Sequence, residues 1–179
     1  MTIDLRRSLC ALALAGLAAG CSGGGAGGSS KGAEWAVDAC KTFPAEAAGK
    51  AGGVAVAKAE SSAATSNEQV TVSNCTYSSA DGKDNFGVLL RQDKVSGQTV
   101  DEQLAGVTSQ PDVTGPGEPV AMPKGKAVWM TKLRTLSYVP EGARMIVVTP
   151  PGAIAFGQAP VPVEQLKTKA IAIANAIEG

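Results

Sequence analysis

The sequence predicts an α+β domain: an antiparallel sheet of about six strands, covered by helices and held by one disulfide. Short segments with alternating apolar residues, separated by hairpin turn signals, predict the antiparallel strands. Segments with apolar residues at every third or fourth position precede, divide and follow these strands, and they predict helices. Because the apolar face of a sheet must be buried, we expect the helices to lie on it.

The first predicted element is a short, interrupted helix within residues 34–52. Trp35, Ala39 and Phe43 recur at four-residue spacing, so they share one face of a helix. Pro44 suits the first position of a new helix, and the two glycines that follow residue 51 suit its end.

Three strands are predicted next, at residues 54–58, 69–77 and 85–91. A segment rich in Ser, Thr and Asn at 61–67 predicts the first turn, and Asp81-Gly82 predicts a hairpin. In the second strand Cys75 and Tyr77 share one face. A bridge from Cys75 to a cysteine near the first helix would therefore fix that helix to the sheet.

A middle helix is predicted behind the Thr99-x-x-Glu102 capping pattern. Val100, Leu104 and Val107 follow at helical spacing, and Pro111 is expected to stop the helix. Residues 112–119 are rich in Pro and Gly and are expected to form a loop.

The second half of the sheet is predicted at residues 126–133, 135–139 and 144–149, with a short last strand at 153–156. Glu141-Gly142 is a turn signal, and the prolines after residue 149 break the preceding strand. The C-terminal helix has one apolar stripe: Val163, Leu166, Ala170, Ile173 and Ile177. Its Ala-rich stripe and weakly basic polar face favour packing on the core over lying on a membrane.

The N-terminus has the pattern of an export signal. Arg6 and Arg7 precede a short apolar run, which is well below the ~20 residues needed to cross a bilayer. Ala18-Ala19-Gly20 precede Cys21, and small residues before a cysteine resemble the lipobox of bacterial lipoproteins. The resemblance implies that residues 1–20 are removed and that Cys21 carries the lipid.

The organisation expected from this N-terminus is a signal peptide (1–20), a lipidated Cys21 with a Gly/Ser tether (21–33) and one domain (34–179). The expected location is the cell envelope. It would be the periplasmic face of the outer membrane in a Gram-negative host, or the outer face of the cell membrane otherwise. An ordinary secretory signal, leaving Cys21 as a free thiol, is the alternative.

Cys40 and Cys75 remain after Cys10 and Cys21 are assigned to the signal and the lipid. In an oxidising compartment two remaining cysteines most simply form a disulfide. A redox-active pair is the alternative, but the spacing is not C-x-x-C.

Composition excludes several classes of protein. The chain has no histidine, which rules out Ser-His-Asp and Cys-His catalysis and zinc or haem sites built on histidine. Formal net charge is zero, and basic residues are not concentrated, so nucleic acid is not an expected partner. We expect no catalytic, cofactor-binding or metal-binding residues.

The order of these features resembles a family of small bacterial lipoproteins of unassigned function, best known from actinobacteria. The matching residues are Asp38-Ala39-Cys40, Cys75, Gly125-Lys126-Ala127-Val128-Trp129 and the helix near 162–178. The resemblance implies a two-cysteine α+β domain and carries no catalytic residues.

Other polar and aromatic residues have both a functional and a structural interpretation. Trp129 is expected in the core rather than in a ligand site, and Asp81 and Asp84 in a solvated turn rather than a calcium loop. The expected function is non-catalytic binding of an envelope protein or a small apolar ligand. The alternatives are an enzyme acting on envelope glycans through paired carboxylates and a carrier of lipids or other small apolar ligands.

Overall fold

The computed structural model describes residues 35–95, 97–154 and 159–179, apart from the side chain of Ala63. These residues contain five helices: α1 (Ala39–Thr42), α2 (Ala45–Gly52), α3 (Val100–Thr108), α4 (Pro111–Thr114) and α5 (Val163–Glu178). They also contain seven strands: β1 (Val56–Ser66), β2 (Val70–Ser79), β3 (Asn85–Asp93), β4 (Gly117–Val120), β5 (Lys126–Met130), β6 (Thr135–Glu141) and β7 (Arg144–Thr149). Within the described part, every helix is too short or too polar to span a bilayer. The predicted signal, Cys21 and the tether lie outside the described residues.

The strands form one sheet in the order β1-β2-β3-β7-β6-β5-β4, and all neighbours are antiparallel. The α+β antiparallel class is therefore confirmed, with seven strands instead of about six. The additional strand is β4, which lies where the sequence predicted only a loop at 112–119. Pro119 is compatible with this position because β4 is an edge strand, where a missing N–H breaks no ladder.

β1 contradicts the turn predicted at 61–67, because its pairing with β2 continues to Ser66. The reversal begins at Asn67, whose Oδ1 accepts hydrogen bonds from the N–H groups of Gln69 and Val70, both at 2.8 Å. Ser and Ala, which make up most of residues 61–66, have little preference for strands, but pairing with a half-buried neighbouring strand outweighs this.

Two strand predictions in the second half of the sheet were also wrong, one at the end of the strand and one at its start. β5 stops at Met130, and Thr131 and Leu133 lie in the turn that leads to β6 rather than in the strand. The strand predicted at 153–156 is replaced at Ala153 by a turn, which closes through its N–H donating to the Pro150 carbonyl at 3.1 Å. Residues 155 and 156 lie outside the described residues.

The main core lies between one face of the sheet and a layer formed by α1, α2 and α5. Its largest fully buried side chains include Trp129, Tyr77, Tyr138, Phe43 and Leu90. The predicted stripe of α5 is buried in this core, except for Val163 in the first turn, which is 42% exposed. Packing of α5 against the sheet is thus confirmed.

The disulfide predicted between Cys40 and Cys75 is present and joins α1 to β2, with their Cα atoms 5.0 Å apart. Asp38 caps α1, accepting hydrogen bonds from the N–H groups of Cys40 and Lys41. Burial alone would raise the pKa of Asp38, but these hydrogen bonds and the Lys41 ammonium lower it below its usual value.

α3 packs on the opposite face of the sheet and forms a second, smaller core. Leu104 is buried against Val139 and Met145, and Val128 and Val147 contribute at its margin. The Gln103 side-chain amide donates to the Gly142 carbonyl and ties the helix to the β6–β7 turn. α3 therefore covers the β5, β6 and β7 part of this face.

Candidate functional site

The face of the sheet that carries α3 continues past the helix onto β2 and β3, where it opens to solvent. A depression of about 340 Å³ lies there. It is lined by Asn74, Thr76, Asn85, Phe86, Gly87, Leu89, Val147, Thr149 and Ile154. Val147 belongs both to this lining and to the margin of the α3 core, so the depression begins where the helix cover ends.

Strand register arranges this lining in rows that cross the strands. Thr76 is opposite Gly87, and Gly87 is opposite Thr149, so these three residues form one row. The next row contains Asn74, Leu89 and Val147. Directly paired residues point to the same side of a sheet, so the first row is the floor and the second is a wall. We call this depression the Gly87 trough.

Gly87 gives the trough its depth because it has no side chain. A Cβ atom there would meet only the Cys75 carbonyl oxygen at 3.8 Å and Asn74 Oδ1 at 3.9 Å, which are ordinary contacts. The backbone therefore does not require glycine at this position. A glycine inside a strand often marks a place where a ligand or another backbone approaches closely.

Every residue that lines the Gly87 trough is uncharged. Asn74, Asn85, Thr76 and Thr149 provide amide and hydroxyl groups, each able to donate and to accept hydrogen bonds. Asn85 is held in place because its Nδ2 donates to the Gly82 carbonyl at 2.8 Å. This arrangement can bind a neutral ligand that has both polar groups and an apolar side.

The described residues also form depressions of comparable size elsewhere; the largest of four such depressions, about 420 Å³, lies between α3 and the β4–β5 hairpin. Lys126 closes one side of this groove through an ion pair with Asp101 at 2.6 Å. Among the described residues, none of the five depressions has more than one carboxylate in its lining. The described chain also contains no cluster of three potential metal ligands.

The residues for which the sequence allowed both a functional and a structural interpretation have structural roles in the fold. Trp129 is fully buried in the core, as predicted. Asp81 accepts hydrogen bonds from the Ser79 hydroxyl and the Lys83 N–H, which stabilise the hairpin turn. Glu102 completes the predicted capping box by accepting from the Thr99 N–H at 2.7 Å.

Tyr77 and Tyr138 are deep in the main core. Burial raises the pKa of both hydroxyls. Tyr77 donates to the Phe43 carbonyl at 2.5 Å and so connects β2 to the segment between α1 and α2. For Tyr138, the Glu178 carboxylate raises the pKa further and Arg144 opposes it.

Sequence reasoning missed the Gly87 trough. The available signal was Gly87, a glycine in the middle of a predicted strand, which marks a close approach or a bulge. The pairing of β3 with β7, which completes the trough, joins strands more than fifty positions apart and leaves no local signal.

Comparison with known proteins assigns no role to this chain, so a role has to be argued from the geometry of the structure. No protein-family model matches the sequence, and neither a curated protein nor a solved structure gave a match.

Proposed function

We propose that this chain is a lipid-anchored protein of the cell envelope whose domain binds an uncharged ligand in the Gly87 trough without catalysing a reaction. The observation that supports binding is the trough itself: a concave, uncharged surface of amides, hydroxyls and aliphatic side chains on an open sheet face. The N-terminal pattern ending at Cys21 supports the anchor.

Binding is favoured over glycan hydrolysis by the placement of the carboxylates. A glycoside hydrolase of the usual kind needs two carboxyl groups about 5–9.5 Å apart across the sugar. The Gly87 trough presents no carboxylate, and each of the four comparable depressions described above presents one. The trough offers hydrogen-bonding groups but no residue suited to donate or remove a proton at neutral pH.

Native mass spectrometry of the protein purified from its host tests this proposal. We expect a ligand mass on the wild-type chain that is lost in Gly87→Val, because the added side chain fills the floor of the trough. Gly106→Val is the control, since a Cβ there meets open space on the surface of α3. If Gly87→Val keeps the same ligand, the site is wrong.

A carrier of small apolar ligands is the second candidate, and one observation favours it. The groove between α3 and the β4–β5 hairpin is lined mainly by apolar residues, including Leu104, Val120 and Met122. Ala105→Gln would place a polar side chain in this groove at an exposed position of α3, so a carrier would lose its bound mass in this variant and keep it in Gly87→Val. The opposite pattern would support the trough.

A further inference from the structure

The length of the Gly87 trough matches a short extended segment. Its floor row consists of Thr149, Gly87 and Thr76 on three neighbouring strands. Neighbouring strands are about 4.8 Å apart, so the Cα atoms at the two ends of this row are about 10 Å apart. An extended peptide advances about 3.3 Å per residue, so a segment of about four residues spans this row.

The width of the trough fits a single chain. One wall is the row through Leu89, and the other is the row through Asn85, each two residues from Gly87 along β3. Two residues of a strand cover about 6.7 Å, so the Cα atoms of the walls are about 13 Å apart. The wall side chains narrow this space, leaving room for one extended backbone but not for two.

The chemistry of the lining matches peptide groups better than other neutral ligands. Asn74, Thr76, Asn85 and Thr149 can all donate and accept, as each peptide unit does. An acyl chain would bury these four groups without partners, which is costly. Phe86 provides no stacking surface for a sugar, because its ring stacks on Tyr77 in the main core at a centroid distance of 4.7 Å.

Charge limits which peptides would fit. The lining is neutral, and beyond its β2 end Glu60 on β1 is opposite Thr76 and pairs with Lys58 at 2.8 Å. A charged side chain inside the trough would lose hydration and gain no opposite charge. A neutral occupant therefore complements the trough along its whole length.

From these observations we infer that the trough binds an extended, uncharged peptide segment of about four residues, which crosses β2, β3 and β7. The inference depends on the proposed function and adds the class of ligand. Small neutral side chains on one side of the segment pack against Leu89 and Val147, and its peptide groups bond to the Asn and Thr side chains.

A nuclear magnetic resonance titration tests the inference on the full chain carrying Cys21→Ser, which keeps it free of lipid. The main probe is an acetylated, amidated tetrapeptide of alternating alanine and serine. Matched probes replace serine by glutamate or by lysine, and a trisaccharide of N-acetylglucosamine tests the sugar alternative.

We expect the neutral peptide to shift the backbone amide signals of Thr76 and Thr149. Its affinity should fall at least about tenfold in Gly87→Val and stay unchanged in Gly106→Val. The charged peptides should bind at least about tenfold more weakly than the neutral one.

Two outcomes overturn the inference. Either the trisaccharide shifts these signals and the peptide does not, or the peptide leaves them unmoved at millimolar concentration. Both leave the proposed function to be decided separately, by whether Gly87→Val loses the ligand mass that co-purifies from the host.

Discussion

At the scale of single residues, two glycines of this domain have opposite roles. Gly87 leaves a space that a side chain could occupy, so the fold itself does not require glycine there. Gly125 has a φ of 60°, and a Cβ there would collide with the Val139 carbonyl oxygen and the Pro140 backbone. Glycine is needed at Gly125 by the connection between β4 and β5, which passes close to the backbone of β6, rather than by a ligand.

Gly125→Ala should therefore destabilise the domain by roughly 3 kcal/mol, since about 1 kcal/mol of left-handed strain adds to a backbone collision. Gly53→Ala is the matched control, because Gly53 also has a positive φ of 66° but has open space around its Cβ position. That variant should lose only about 1 kcal/mol. Urea unfolding measures both, and equal losses would contradict the described geometry at Gly125.

At the scale of elements, α3 is held by few contacts and depends on its N-terminal cap. The Thr99 hydroxyl accepts from the Glu102 N–H, and the Glu102 carboxylate accepts from the Thr99 N–H. The hydrogen bonds that the Thr99 N–H and hydroxyl donate to the Glu102 carboxylate lower the pKa of Glu102 below its ordinary value of 4.5. The cap is consequently stronger when Glu102 is ionised.

Acid should loosen α3 before the main core. A lowered pKa in the folded state contributes stability above the ordinary value of 4.5, and this contribution is lost as the pH falls through the lowered value. The protection factors of the α3 amides, which correct for the intrinsic pH dependence of hydrogen exchange, should then fall below that pH. In Glu102→Gln the pH dependence should be reduced, and an unchanged profile would show that Glu102 does not control the cap.

Elements with a local signal were predictable from sequence, and those that depend on distant pairing were not. The Thr99 cap and the stripe of α5 were correct because the residues that determine them lie within a few turns. β4 and the second half of β1 were missed because their Ser, Ala, Pro and Gly residues become strands only through pairing with β5 and β2. The trough was missed for the same reason.

The Cys40–Cys75 bridge links two elements, and its removal should be costly. A closed loop of 35 positions is worth about 4 kcal/mol in the chain-entropy estimate. Cys40→Ala combined with Cys75→Ala should lower the free energy of unfolding by about that amount in urea. Reductant should bring the wild type to the same value, while Cys21→Ala should match the oxidised wild type. No change in the double variant would contradict a structural role.

At the scale of the whole molecule, the first described residue and the proposed site lie near opposite ends of β7. Trp35 packs on the guanidinium of Arg144, 5.4 Å from the ring centroid, at the first residue of β7. The trough includes Thr149, the last residue of the same strand. A ligand in the trough would therefore be at the opposite end of β7 from the place where the chain reaches the sheet.

Cys21→Ala should move the protein from the membrane fraction to the soluble fraction and abolish its labelling by palmitate-type fatty acids. Cys10→Ala is the matched control, because the expected cleavage removes Cys10 with the signal, and this variant should stay on the membrane. If Cys21→Ala remains membrane-bound and labelled, the anchor is elsewhere.

The disulfide also determines how the domain would carry mechanical tension. A pull on the chain ahead of Trp35 reaches Cys40 after five residues and passes through the sulfur bridge directly into β2, the second strand from one edge of the sheet. α2 and β1 lie within the bridged loop, so they are shielded from the load. If this disulfide were reduced, the same force would pass through α2 and then pull the edge strand β1 away from β2.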